Sequence, residues 1–198
     1  MDQAGVTVGA ILLAGGRASR MDGAAKPLVE VGGATLLAHA VAAARSLGSA
    51  PIVAVGPPLA DLAGVTWTRE DPPFGGPAAG VVAGLRAFGD ASPEWTLVLA
   101  CDLPRAEQAV ALLAEAAAVG PADLDGVCLA DAGSRPQWLT ALYRTAPLRA
   151  RAERLPDAGR DAPARSLADE AAIMVLSDPD GRSTDVDTWD DLEKETRR

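Results

Sequence analysis

One histidine and two cysteines are all the chain has of the side chains that most often hold transition metals or pair as nucleophile and base. His39 lies in a stretch that reads as a helix, where a solvated or packing role is expected. Cys101 and Cys128 each sit in an apolar run with no Cys or His at ligand spacing. That disfavours a metal pair and a disulfide, and leaves two buried, reduced thiols in a cytoplasmic protein. Aromatic residues make up only 4% of the chain, and the alanine content beside them carries no functional reading. No apolar run reaches the roughly 20 residues of a membrane span. The first residues lack the basic segment and long apolar core of a signal peptide, so neither a membrane nor a secretory role is expected. Positive charge is also scarce: 18 Lys and Arg stand against 27 Asp and Glu, for a net charge of −9. A general nucleic-acid binder should be basic, so that role is disfavoured. Two familiar phosphate-binding signatures are absent as well, G-x-x-x-x-G-K-[ST] and G-x-G-x-x-G.

What the chain does have is 198 residues, 48% of them hydrophobic. That suits a single domain, residues 1–198, with a substantial core. Buried strands are expected at Val8–Leu13, Ile52–Gly56, Val65–Thr68, Leu97–Cys101, Asp125–Ala130, Pro136–Arg144 and Ile173–Leu176, with a short strand and turn over Val29–Gly33. Helical spacing is expected over Leu36–Leu47, Ala79–Phe88, Ala106–Val119, Leu148–Leu155, Ala164–Ala172 and Trp189–Thr196. Thr35 and Thr188 are placed to cap two of these helices, and Gly48 to end one. Strands and helices alternate through the first two-thirds. This pattern implies an α/β fold, a doubly wound and mainly parallel sheet with helices on both faces.

The stretch from Ile11 to Leu28 organises the rest. A buried strand runs into Gly15-Gly16, and Arg17, Arg20 and Lys26 follow within one loop. Glycines let backbone N–H groups approach an anion closely. The residues alone leave two readings open: a plain strand-to-helix turn with solvated charges, or an anion-binding loop. An acidic protein with a local basic loop fits a small anionic ligand better than a polyanion.

Ligands of open parallel sheets bind outside the carboxyl ends of the strands. The polar residues that follow the strands are the Gly15–Arg20 loop, Asp71, Asp102 and Asp187. Triphosphate chemistry needs a divalent cation, and Mg2+ takes one or two carboxylates plus phosphate oxygens and water. Asp102 ends a five-residue apolar strand and is the leading candidate ligand; a helix cap or turn is the competing role for it. Surface-turn roles compete for Asp71, Asp185 and Asp187.

The run L-A-G-G-x-x-x-R-M, followed by K-P-L at Lys26-Pro27-Leu28, resembles the signature of the nucleotidyltransferases related to molybdenum cofactor guanylyltransferase, the MobA-like family. Asp22 stands where that family usually has Gly, with Gly23 immediately after. Leu97 to Pro104 is similar to the family's apolar-strand-C-D-x-P element, and Gly75-Gly76-Pro77-Ala78-Ala79-Gly80 resembles its G-P-L-A-G loop, with Ala78 for Leu. D-V-D-T at Asp185 to Thr188 replaces the N-x-N-T common in the guanylyltransferases, and Trp189 replaces a Pro.

The resemblance implies a Rossmann-like nucleotidyltransferase fold and a set of roles. Arg20, Lys26 and Asp102 would be catalytic. Leu13, Ala14, Gly15, Gly16, Lys26, Asp71, Gly76, Pro77, Gly80 and Asp102 would bind the nucleotide. Asp102 and Asp187 would hold Mg2+. Arg135 and Gln137, in the loop Ser134 to Leu139, are candidates to meet the acceptor; a hairpin turn packed by Trp138 is the competing reading.

The implied reaction transfers GMP from GTP to the phosphate of the molybdopterin-bound molybdenum cofactor and releases pyrophosphate. A phosphate acceptor is already ionised at neutral pH, so no general base is needed, in keeping with the scarcity of histidine. D-V-D-T leaves open a CTP- or other NTP-dependent transfer onto the same pterin, a sugar phosphate or another cofactor phosphate. Binding nucleotide without turnover, as a regulatory or partner-binding module, is a further alternative. The expected partners are GTP or another NTP and a phosphorylated acceptor, with the chain a monomer or a weak homo-oligomer in the cytoplasm.

Overall fold

Val8–Leu13 (β1) alternates its side chains between two faces, as a strand must. Ala10 and Leu12 enter one apolar cluster and Ile11 enters another, all three fully buried. A strand buried on both faces needs a layer of helices above and below it, and the chain supplies both. The computed structural model describes residues 6–15, 25–186 and 188–196.

Within them, Glu30–Val31 (β2) and Ala34–Thr35 (β3) form a small antiparallel hairpin, leading into helix Leu36–Ser46 (α1). Then come Ile52–Val55 (β4), Val65–Thr68 (β5), helix Pro77–Ala87 (α2), Trp95–Ala100 (β6) and helix Ala106–Val119 (α3). Gly126–Ala130 (β7), Pro136–Arg144 (β8), helix Thr145–Arg154 (α4), Ile173–Ser177 (β9) and helix Trp189–Thr196 (α5) complete the order.

Seven strands form one sheet in the order β5-β4-β1-β6-β8-β7-β9. The pairs β1–β4, β1–β6, β4–β5 and β7–β9 are parallel, and β8 alone runs antiparallel to its neighbours β6 and β7. The expected mainly parallel, doubly wound sheet is the one observed. α1 and α3 cover one face, with Leu37, Val41, Val110 and Leu113 packed on Leu12, Leu97 and Leu99. α2 and α4 cover the other, with Val81, Leu85 and Leu148 packed on Ile11, Val53 and Val98. Burying a side chain of this size contributes about 2 kcal/mol. α2 lies close on the sheet because Gly84 has no side chain: a Cβ there would come within 2.5 Å of Ile11 Cγ2.

Thr35 caps α1 as expected, its Oγ1 accepting from the Ala38 N–H at 3.1 Å. Thr188 Oγ1 accepts from Asp191 N at 3.2 Å while Asp191 Oδ2 accepts from Thr188 N at 3.1 Å, a reciprocal cap for α5. His39 Nε2 lies 2.9 Å from the Val31 carbonyl oxygen, so it ties α1 to the hairpin.

Two expectations need correction. α4 starts at Thr145, not Leu148; Thr145 is buried, its Oγ1 2.8 Å from that of Thr96, which fixes the start of the helix against β6. The helix expected over Ala164–Ala172 is a single 3-10 turn, Ala164–Leu167. Leu167 is fully buried, and Glu170, with φ of 59°, cannot continue a right-handed helix.

Candidate active site

The strand order reverses beside β1. The chain leaves β1 for β4 and β5 on one side, then returns through α2 to β6 on the other. At such a switch point the loops leaving the strand ends diverge and open a crevice. Here the crevice is a cavity of about 380 Å3. Its floor is Leu13 and Gly15 from the end of β1, Val55 from β4 and Ala100 from β6. Gly76, Pro77 and Gly80 bring the N-terminus of α2 to one wall, Leu139 of β8 and Asp102 stand at one end, and Glu70 and Phe74 stand at the other.

Two glycines shape this crevice. Gly76 has φ of 90° and ψ of 178°, a backbone region for a residue without Cβ, and it precedes Pro77 at the first position of α2. Gly56 has φ of 148°, and a Cβ there would lie 2.9 Å from the Gly15 N. The exits of β4 and β1 therefore close up against each other under the cavity.

Asp102 lies two residues past the end of β6. Lys26 Nζ donates to Asp102 Oδ2 at 2.9 Å, and the two side chains are 21% and 24% exposed. Lys26 opens a single 3-10 turn, Lys26–Leu28, with Pro27 inside it. Proline fixes the backbone there and so holds the lysine at the rim. Asp102 Oδ1 is buried and has no hydrogen-bond partner among the described residues. A buried carboxylate oxygen without a donor is costly and needs a reason, such as a ligand that supplies the missing partner. Among the described residues no group of three or more His, Cys, Asp and Glu side chains is placed to hold a metal. A cation here would have to share its shell with phosphate and water, which is the habit of Mg2+.

Cys101, next in the chain to Asp102, is fully buried, and burial, helped by the Asp102 charge, pushes its thiol far above the usual range. It stays protonated and is no nucleophile. Val186 N donates to the Asp102 backbone oxygen at 3.0 Å, so the segment after β9 returns to the site. Arg105 holds that segment by donating to the carbonyl oxygens of Asp180 at 2.8 Å and Gly181 at 2.6 Å. Asp185 lies exposed on this return.

The structure thus brings Leu13, Gly15, Gly76, Pro77, Gly80 and Asp102 together around one cavity, with Lys26 bonded to Asp102. Ala14 is buried beside them, its N–H donating to Val55 O at 2.9 Å. Gly16, Arg17, Arg20 and Asp187 lie outside the described residues. Asp71 is exposed and lines a neighbouring groove of about 350 Å3 with Arg69, Arg86 and Arg160, not the central cavity. Glu70, one residue earlier, lines both.

Arg135 and Gln137 stand on the β7–β8 hairpin at the same rim. Asp131 Oδ2 accepts from Arg135 Nε and from Gln137 Nε2, both at 3.2 Å. The Arg135 backbone N–H is the main cause of an Asp131 carboxyl held below its usual range. The sequence reading missed Glu70, Phe74, Val55 and Leu139. For Phe74 a signal was present, since an aromatic between two prolines and two glycines belongs to no core element.

Residues 10–173 match the family described as the MobA-like NTP transferase domain. A molybdenum cofactor guanylyltransferase of Pseudomonas putida (strain GB-1) is 36% identical over 101 residues, covering 50% of this chain and 51% of that protein. One from Pseudomonas aeruginosa (strain PAO1) is 39% identical over 103 residues, covering 50% of each. These matches span about half the length of the relatives. The molybdopterin-guanine dinucleotide biosynthesis protein A of Archaeoglobus fulgidus shares the fold, with a TM-score of 0.68 at 19% identity over 95% of this chain and 96% of that one. So does the 2-C-methyl-D-erythritol 4-phosphate cytidylyltransferase of Thermus thermophilus, with a TM-score of 0.64 at 19% identity over 96% of this chain and 98% of that one. With the family match covering most of the sheet and both ends of the cavity, the chain belongs to the MobA-like NTP transferase domain family.

Proposed function

We propose that the chain is a nucleotidyltransferase that moves GMP from GTP to the phosphate of molybdopterin-bound molybdenum cofactor and releases pyrophosphate, with Mg2+ as its metal. The observation that carries this reading is the Lys26–Asp102 pair at the rim of a cavity of nucleotide size, with Asp102 Oδ1 buried and unpartnered among the described residues. Asp102 fits the metal through that oxygen; Asp187, outside the described residues, is the second ligand in this reading. Bound there, Mg2+ would neutralise phosphate charge and help align the phosphates.

Lys26 has a separate task. Its ammonium, now on Asp102, exchanges the carboxylate for phosphate oxygens when the nucleotide enters. It then stabilises charge at the phosphorus under attack. Gly15, with Gly16 and Arg20 in the same loop, holds the leaving pyrophosphate. The attacking oxygen belongs to an ionised phosphate, so this chain needs only to orient it and no residue needs to remove a proton. The β7–β8 hairpin, with Arg135 and Gln137 clamped on Asp131, is the acceptor side. Two buried free thiols, Cys101 and Cys128, fit a reducing cytoplasm.

Asp185 and Asp187, in place of the asparagines of the guanylyltransferases, favour one second reading, transfer from CTP or another NTP. The test is pyrophosphate release with purified molybdopterin-bound molybdenum cofactor and Mg2+, run with each nucleotide. Release with GTP alone is the expected result. Release with CTP alone would select the second reading, and no release with any would reject transfer to this acceptor.

A further inference from the structure

Glu70 and Phe74 form an end of the cavity that neither the phosphate loop nor the Asp102 end explains. The sheet order fixes where that end lies. β5, which Glu70 follows, is three strands from β6, which Asp102 follows. Three strand spacings come to about 14 Å. The strand order thus assigns Glu70 and Asp102 to different ends of the cavity. With the phosphates at the β1 and β6 loops, a nucleotide lying along the cavity puts its base at the β5 end, over Val55 and against Pro77.

The β5 end is built in an unusual way. Phe74 has φ of 65°, a left-handed backbone that bulky side chains rarely adopt, and the residue is 53% exposed. The Arg69 guanidinium carbon lies 5.1 Å from the ring centroid. Glu70 Oε1 accepts from the Phe74 N–H at 2.9 Å, which ties the carboxylate to the aromatic residue. A carboxylate has lone pairs for about four hydrogen bonds and, when ionised, no donor. Engaged by one N–H, it can still accept a pair.

We propose that Glu70 is the base-selecting residue of this site, its carboxylate accepting the two adjacent donors of guanine, N1–H and N2–H, while Phe74 offers its ring to the base. This inference rests on the guanylyl-transfer reading above. Guanine alone among the four bases offers two neighbouring donors on its pairing edge. Adenine and cytosine each set one amino donor beside a ring-nitrogen acceptor, and uracil sets one N–H between two carbonyls. An acceptor-only partner repels each of those lone pairs, so the same group that attracts guanine rejects the others.

The experiment measures dissociation constants with Mg2+ for GTP, 1-methyl-GTP, inosine triphosphate, ATP and CTP. It uses the unmodified chain and the variants Glu70→Gln and Phe74→Leu. On the unmodified chain GTP should bind about ten- to a hundredfold tighter than 1-methyl-GTP, which lacks N1–H, with inosine triphosphate between them. Glu70→Gln keeps a carbonyl for the Phe74 N–H and turns the second oxygen into a donor. It should weaken GTP by a similar factor and leave ATP and CTP within about threefold. Phe74→Leu should weaken all of them alike. Equal binding of GTP and 1-methyl-GTP by the unmodified chain overturns the proposal without any variant. So does a uniform loss in Glu70→Gln, which would mark Glu70 as a loop support only. Either result leaves the guanylyl-transfer reading standing if GTP still binds. If the unmodified chain prefers CTP or ATP, that reading fails along with the proposal.

Discussion

Lys26 Nζ lies 2.9 Å from Asp102 Oδ2, though 76 residues separate the two in sequence. One comes from the loop after β1 and the other from the end of β6, the strand that β1 pairs with in parallel. The sheet register sets the ends of the two strands side by side. Leu13, the last residue of β1, is the partner of Ala100, the last residue of β6.

The pair is partly exposed, so its worth to the fold is small, about 0.2–1 kcal/mol. Under the proposed transfer its worth to phosphoryl chemistry is larger. Lys26→Ala is expected to lower kcat by about 100- to 1000-fold while the melting temperature moves by no more than about 4 °C. Steady-state kinetics beside thermal melts would check this, and a comparable collapse of both would make Lys26 a structural residue.

Asp102→Ala is expected to show the trade of stability for function. The substitution removes a buried oxygen that has no partner among the described residues. Metal-dependent turnover should vanish, and the melting temperature should hold or rise. Retained turnover with unchanged Mg2+ dependence would remove Asp102 from the metal site.

Gly76→Ala should separate shape from charge. With φ of 90°, Ala at this position is strained by about 1–3 kcal/mol, and the strain sits at the N-terminus of α2 facing the cavity. Nucleotide affinity should fall together with stability. A Gly84→Ala control acts on the same helix away from the cavity, where the new methyl meets Ile11 at 2.5 Å. It should cost about 1–3 kcal/mol in stability and leave affinity nearly unchanged. If Gly76→Ala binds nucleotide normally, the α2 terminus is not part of the site.

Asp125 carries a pH prediction. Burial works against its charge, but the Arg151 guanidinium at 2.5 Å and the Ala172 N–H at 3.2 Å outweigh that and hold its carboxyl below the usual range. A carboxyl depressed in the folded state stabilises the protein above its unfolded pKa, near 3.9. That contribution fades as pH falls through the lower folded value. Asp125→Asn should therefore cost about 1–3 kcal/mol at pH 7. The gap to the unmodified chain should close below about pH 4. Urea titrations at pH 7 and at low pH would measure both, and a gap that persists in acid would place the effect outside the Arg151 contact.

Much of this fold is legible from residues alone. Val8–Leu13, a short apolar run, has the strand limits expected of it, and Thr35 caps α1 as its hydroxyl chemistry requires. The site was less legible, for a physical reason. Motif reasoning looks for charge at strand ends, and Arg69-Glu70-Asp71 offers three charges in a row after β5. Which of them reaches the cavity depends on the turn through Pro72, Pro73 and Phe74, and no local periodicity encodes that turn. Glu70 is the one that lines the cavity. The single 3-10 turn at Ala164–Leu167 was hidden for a related reason. Its stretch has helical composition, but the chain must turn there to bury Leu167 beneath α4.

The most direct test of nucleotide and metal binding at Asp102 is a thermal melt with GTP, CTP, ATP and UTP, each with and without Mg2+, on the unmodified chain and on Asp102→Ala. A ligand at about a hundred times its dissociation constant adds about 2.7 kcal/mol to the folded state, which a melt resolves. The expected shift is largest for GTP, grows with Mg2+ and loses its Mg2+ dependence in Asp102→Ala. No shift with any nucleotide, or the same shift for all four regardless of Mg2+ and of Asp102, would contradict a metal-assisted guanine nucleotide site in this cavity.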